Sequence, residues 1–194
     1  MAVPSPPISE KSELRAAGLE RRRNFARSLT PELRSDLENK LARLLLPHLI
    51  EARVIAAYHP LKDEISPYPL LDQLGPGQQA VLPWFGGRDE RMLWRAAPAV
   101  EPSPWGVLQP AADSPAFAPD VVVVPFVLAD RHGTRIGHGK GHYDRALSHL
   151  REHGRVFTVG IGWESQLVDE RLNPDPWDVP LDAVATPREF VSCR

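Results

Sequence analysis

Sixteen consecutive residues hold most of the groups able to do chemistry: Asp130-Arg131-His132-Gly133-Thr134-Arg135-Ile136-Gly137-His138-Gly139-Lys140-Gly141-His142-Tyr143-Asp144-Arg145. Glycines at 137, 139 and 141 alternate with His138 and Lys140. Positions without side chains let backbone N–H groups come close to an anion, and the start of a following helix adds partial positive charge. Lys140 and Arg135 supply full charges suited to phosphate oxygens. The segment reads as a phosphate cradle. It is not a Walker A loop, because Gly141 follows Lys140 where Ser or Thr belongs, and Thr134 stands where Gly is required. Nor is it a dinucleotide fingerprint, since His142 replaces the third glycine. Alternating glycines alone also suit a surface turn; a strand before and a helix after favour the phosphate reading.

His132, His138 and His142 raise the question of zinc. Histidines four apart share a metal on a continuous helix face, and here glycines interrupt the helix. The single cysteine, Cys193, lies far away in sequence. Zinc is not expected. Asp144, one turn into the helix, suits either an oxygen ligand to Mg²⁺ or a helix-dipole partner. A second cluster, His59-Pro60-Leu61-Lys62-Asp63-Glu64-Ile65, reads by itself as a charged loop. A third, Pro176-Trp177-Asp178-Val179-Pro180-Leu181-Asp182, has two prolines and a tryptophan to fix Asp178 and Asp182. Neither a G-x-S-x-G nucleophile elbow nor H-E-x-x-H is present.

These groups need a frame. Residues 1–8 read as a Pro-rich leader, and a helix is expected from Ser9 as its cap through the Arg21-Arg22-Arg23 triplet, read as a solvated face. Thr30 as N-cap, Pro31 and Glu32 open a second helix carrying Leu33, Leu37, Leu41, Leu44 and Leu45, which Pro47 stops. Both helices are expected against one edge of a sheet. Val54–Tyr58, Gln79–Trp84, Arg91–Ala96, Val121–Pro125, Phe157–Ile161 and Val184–Thr186 read as strands, Pro69–Leu74 as a short helix and Gly141–His153 as a longer one. Four valines in a row at 121–124 imply a strand buried on both faces. Strands alternating with helices predict an α/β fold, an open sheet with helices on both faces, in which ligands bind beyond the carboxyl ends of strands.

Length and composition narrow the function classes. At 194 residues the chain suits one domain, residues 9–194 beyond the leader. With 23 Lys+Arg against 25 Asp+Glu the net charge is −2, which argues against a general nucleic-acid binder. A single cysteine allows no intrachain disulfide and fits a reducing compartment. The longest apolar run, Val121–Ala129, falls short of the roughly 18 residues a membrane span needs, and the N-terminal residues lack a signal peptide's basic and apolar regions. Neither membrane insertion nor secretion is expected. Twenty-one prolines, spread along the chain, indicate rigid loops between short elements.

Taken together, these clusters resemble the 5-formyltetrahydrofolate cyclo-ligase family, from about Lys11 to Arg188. The carriers are Lys11-Ser12-Glu13-Leu14-Arg15, Tyr58 with Lys62–Ile65, Trp105-Gly106-Val107 with Pro110, Asp120–Pro125, Arg135–Arg145, and Pro176–Asp182 through Thr186-Pro187-Arg188. The resemblance implies a three-layer α/β fold related to the isomerase and CoA-transferase group. It implies ATP-dependent closure of 5-formyltetrahydrofolate to 5,10-methenyltetrahydrofolate, in a cytoplasmic monomer that uses Mg²⁺. By family position Lys11, Ser12, Glu13, Leu14 and Arg15 would meet ATP together with Arg135, Ile136, Gly137, His138, Gly139, Lys140, Gly141, His142 and Tyr143. Lys140 and Arg135 would be catalytic, and Asp144 and Asp182 would hold Mg²⁺. His59, Glu64, Trp105, His138 and His142 would face the folate. His138 and His142 stand where many relatives carry other side chains, at positions expected to face both substrates. A histidine titrates near neutral pH, so ATP affinity or turnover is expected to fall between about pH 6 and 8 as His138 loses its proton.

Overall fold

The computed structural model describes residues 10–88 and 90–193; the leader and the Ser9 cap lie outside them. Helix α1 (Glu10–Ser28) is followed by α2 (Pro31–Leu45), which starts as its sequence predicts: Thr30 Oγ1 accepts from the Leu33 N–H at 3.2 Å, and Pro31 takes the first turn. A 3₁₀ turn at Leu46–His48 ends it. Strand β1 (Val54–Ala56), helix α3 (Tyr68–Leu71), β2 (Gln79–Trp84) and β3 (Leu93–Ala96) follow. A small hairpin, β4 (Glu101–Pro102) and β5 (Leu108–Gln109), precedes β6 (Val121–Pro125). Next come β7 (Leu128–Asp130), β8 (Arg135–Ile136), α4 (His142–His153), β9 (Phe157–Ile161), β10 (Leu167–Val168), β11 (Ala183–Ala185) and β12 (Phe190–Ser192).

Seven strands form the central sheet in the order β12-β11-β9-β6-β1-β2-β3. The inner five are parallel, and β3 and β12 run antiparallel at the edges. Alternate residues of each strand feed different cores. Val121 and Val123 join Leu41, Leu45 and Leu49 of the α2 region on one face, while Val122 and Val124 join Ala146 and Leu147 of α4 on the other. The valine run is therefore buried on both sides, as its lack of polar alternation predicted. Helix α2 lies on a face of the sheet and not against its edge. Its Leu41, Ala42 and Leu45 are almost wholly buried, and an apolar stripe this dense needs a whole sheet face to cover it.

The sheet's strand order reverses direction at β1: β2 lies to one side of it and β6 to the other. Such a switch point opens a crevice beyond the strands' carboxyl ends. A second sheet, β10-β7-β8, takes β7 and β8 from the stretch between β6 and α4 and β10 from after β9. The glycine-rich segment thus follows the short β8 and not the long buried strand. The buried Asp130 turns the chain: its Oδ1 accepts from the N–H groups of His132 and Thr134 at 2.9 Å, and its Oδ2 from Leu172 at 2.9 Å. No helix of the described residues is long and apolar enough to cross a membrane.

Candidate active site

At the switch point lies a cavity of about 710 Å³. Three kinds of wall meet in it. The first is the glycine loop between β8 and α4. Gly139 and Gly141 hold φ angles of +83° and +65°, a region that disfavours side chains, and Gly141 is the N-cap of α4 with no side chain capping it. The first amides of a twelve-residue helix thus open beside Lys140 at the cavity wall. Arg15 of α1 anchors this loop, its Nε donating to the Gly137 carbonyl at 2.8 Å.

The second wall is a set of fixed ion pairs. Arg135 is buried, donating to Asp144 Oδ1 at 2.6 Å and to the Val179 carbonyl at 2.5 Å. Burial draws the Arg135 pKa down, with Asp144 opposing that shift. Lys11 reaches Asp175 and Asp178, each at 2.5 Å. Burial alone would lower the Lys11 pKa; the two carboxylates more than offset it and hold it above the usual value. Lys11 and Arg15, four apart on one helix, both reach the cavity.

The third wall is opposite in character. Glu64, 5 % exposed, accepts from Arg22 Nη1 at 2.9 Å and from the Leu61 N–H at 2.9 Å, and lies 3.2 Å from His138 Nε2. Burial raises its pKa, but His138, Arg22 and Leu61 together bring it below the usual carboxylate value. In the same cavity, Phe85, Trp105 and His142 pack as a trio with ring centroids 4.7–4.9 Å apart. Gln109 clips the β4–β5 hairpin to Phe85 through both of that residue's backbone groups, so Trp105 is set by the fold. Burial, then Arg145 and Lys140, lower the His142 pKa, which favours a neutral ring in this aromatic wall.

The cavity brings together Lys11, Arg15, His59, Glu64, Trp105 and the whole run Arg135–Asp144. It does not bring in Ser12, Glu13 or Leu14: helical periodicity turns them away, and Leu14 packs on Leu128, Ile136 and Leu172. Asp182 also stands outside the wall. Its carboxylate accepts from the Thr158 N–H and hydroxyl and from Arg151, bracing β9 against β11. Arg22 corrects the reading of the arginine triplet, since it is only 4 % exposed. Sequence reasoning missed Asp175 and Phe85 as well; the Pro176-Trp177-Asp178 loop was the available signal for the first. His149, Glu152 and His153 have potential ligand atoms within 4.8 Å at the far end of α4, where Arg91 already contacts His149 Nε2 at 2.7 Å.

A glycine-rich loop carrying Lys140, a buried carboxylate and an aromatic trio thus line one cavity. The model of the 5-formyltetrahydrofolate cyclo-ligase family matches residues 7–187. The chain belongs to that family. It is 30 % identical over 176 residues to the 5-formyltetrahydrofolate cyclo-ligase of Escherichia coli K12, covering 85 % of this chain and 96 % of the relative. The corresponding enzyme of Mycolicibacterium smegmatis is 32 % identical over 200 residues, covering 93 % and 95 %. In three dimensions the family member resembles the 5,10-methenyltetrahydrofolate synthetase of Aquifex aeolicus, with a TM-score of 0.79, 29 % identity and coverage of 96 % and 94 %. The Mycoplasma pneumoniae synthetase gives 0.69, 25 %, and coverage of 92 % and 99 %.

Proposed function

We propose that this cyclo-ligase family member closes 5-formyltetrahydrofolate to 5,10-methenyltetrahydrofolate at the expense of ATP, releasing ADP and phosphate. The observation that carries the reading is that the Lys140 glycine loop and the buried Glu64 line one cavity, with His138 of the loop 3.2 Å from the Glu64 carboxylate. A carboxylate only accepts hydrogen bonds and so suits the N–H groups of a reduced pterin, while the loop's amides and cations suit a triphosphate. The aromatic trio offers flat surface to the ring system or the adenine.

The formyl oxygen attacks the γ-phosphorus, the β–γ bridging bond breaks, and ADP leaves. N10 then attacks the formyl carbon, gives up its proton, and phosphate departs to leave the methenyl cation. Phosphoryl transfer asks a protein mainly for position and charge neutralisation. Lys140 meets the charge that builds on the transferred group. Arg135 acts mainly by fixing Asp144 and the Val179 loop, because its guanidinium is committed to both. Lys11 and Arg15 reach the phosphates from α1, and His59 and Trp105 flank the folate.

Mg²⁺ fits this site at Asp144 Oδ2, since Arg135 and the Val179 N–H both bind Oδ1, with the rest of its shell from phosphate and water. Bound there it would offset phosphate charge. Asp182 stands outside the cavity wall, held by Thr158 and Arg151, and is the less suited of the two expected ligands. Asp175 and Asp178 are further carboxylates in the wall, held by Lys11. A cytoplasmic monomer with no nucleic-acid or membrane partner is part of this proposal.

The test is the near-ultraviolet absorbance of the methenyl product, with purified protein, 5-formyltetrahydrofolate, Mg²⁺ and ATP. The expected rise needs ATP and falls at least about 100-fold in Lys140→Ala. An ATP-independent rise, or an unimpaired variant, overturns the assignment. No rise while ATP still binds would identify a relative that lacks ring closure.

A further inference from the structure

Glu64 has one partner that no ligand can displace and one that a ligand must. Arg22 comes from the interior side of α1, is buried, and does not line the cavity. It donates to Glu64 Oε1 across 42 residues of sequence, and its own Nε has no hydrogen-bond partner among the described residues. A guanidinium buried with an unpaired N–H is costly to keep, so its contact with Glu64 must matter. His138 approaches the same Oε1 from the glycine loop, at 3.2 Å, with its side chain 41 % exposed. The buried contacts are internal; the exposed one is exchangeable.

We infer that Arg22 is a positioning residue: it keeps Glu64 ionised and aimed at the cavity, so that an N–H donor of the bound pterin takes the place of His138 on Oε1. This deepens the proposed function and rests on it. Without an adjacent cation, burial pushes the carboxyl's pKa up, so it takes up a proton more readily and becomes a poorer acceptor. Other groups face Glu64 too. Arg34 of α2 donates to its main-chain carbonyl and not to its carboxylate, and Tyr58 after β1 and Tyr143 of α4 are phenols whose pKa values burial and Glu64 itself push up. His138 is the other basic side chain in contact with the Glu64 carboxylate, and ligand exchange removes it. Arg22 is then the charge that persists in the complex.

The effect should separate the two substrates. Arg22→Met should raise the KM for 5-formyltetrahydrofolate about 10- to 100-fold, the scale of one lost charge-assisted hydrogen bond, while the KM for ATP stays within about 2-fold. Arg22→Lys should recover most of the loss. The variant should also gain a pH dependence: its folate affinity should rise with pH between about 6 and 8, because only the ionised carboxylate accepts. The added slope should vanish in Arg22→Met/Glu64→Gln, where no carboxyl titrates. An unchanged folate KM in Arg22→Met overturns the inference, as does an equal rise in both KM values, or a slope that survives in the double variant. If Arg22→Met does not fold, the neutral but polar Arg22→Gln carries the test: a raised folate KM with a pH slope absent from the wild type and an ATP KM near wild type support the inference, and loss of both substrates together, or an unchanged folate KM, overturns it. A wild-type chain that turns over no folate refutes the proposed function and the inference with it, whereas normal turnover with an indifferent Arg22 refutes the inference alone.

Discussion

Two glycines two residues apart in the same loop should respond very differently to a single methyl group. Gly139 has φ +83°, and a Cβ there would lie 3.3 Å from Arg15 Cζ and 3.5 Å from its Nε. Gly137 has no positive φ, and nothing lies within 4 Å of its would-be Cβ. Holding alanine in the left-handed region costs about 1–2 kcal/mol. The contact with Arg15 adds to this, since Arg15 is tied by its bond to the Gly137 carbonyl and cannot swing away without losing it. For a domain of this size each kcal/mol lowers Tm by about 2–4 °C, so Gly139→Ala should lose roughly 2–8 °C. Gly137→Ala should stay within about 1 °C of wild type. Thermal unfolding of the two variants without ligand reads the backbone cost. ATP titration then reads the cradle, and Gly139→Ala should weaken ATP about 10-fold or more through displacement of the loop carrying Lys140. Equal Tm values for the two variants, or a larger loss at Gly137, would refute the argument from backbone conformation and contact.

Other outcomes follow from the ion pairs and shifted groups. Lys11→Met should raise the ATP KM about 10-fold and leave the folate KM nearly unchanged, because it removes a cation and releases Asp175 and Asp178 toward the phosphates; steady-state kinetics in both substrates checks this. The lowered pKa of Glu64 means that its contribution to stability is present above its unfolded value of about 4.3 and is lost as pH falls through the folded one. Urea unfolding of Glu64→Gln should therefore show lower stability at pH 7 and a shallower acid limb than wild type. Burial, then Asp130 and Asp182, push the Cys193 thiol up to about 11, so the folded protein should resist a thiol reagent at neutral pH and react once unfolded. His142→Phe should retain folate affinity within a few-fold in equilibrium binding, since the ring contributes a neutral aromatic surface.

The elements whose local pattern matches their environment were legible in the chain. Thr30-Pro31 set the start of α2, and the valines at 121–124 marked the central strand, because capping and two-sided burial leave local signatures. Strand β9 was readable for the same reason. The pieces that build the site's far walls were not. β7, β8 and β10 are two or three residues long, and β4–β5 is a two-residue ladder, too short to show any period. Strand β12, at the sheet's edge, went unread as well.

The same division holds for the site. Alternating glycines with Lys140, set between a strand and a helix, made the loop's special backbone legible, because the positive φ found at Gly139 and Gly141 is a property that glycine carries in its covalent structure. Ordered motifs carried the family resemblance before any fold was known. What the chain could not tell was which charges neutralise one another, since an ion pair depends on distance and burial. Arg22 and its neighbours in the triplet read alike in sequence, yet α1 turns Arg22 inward onto Glu64 while Arg21 and Arg23 stay exposed. Asp178 and Asp182 sit in one loop, but the first meets Lys11 at the cavity and the second braces two strands. Residue type set what each group could do; the tertiary structure, by fixing its partner and its access to water, decided what it does.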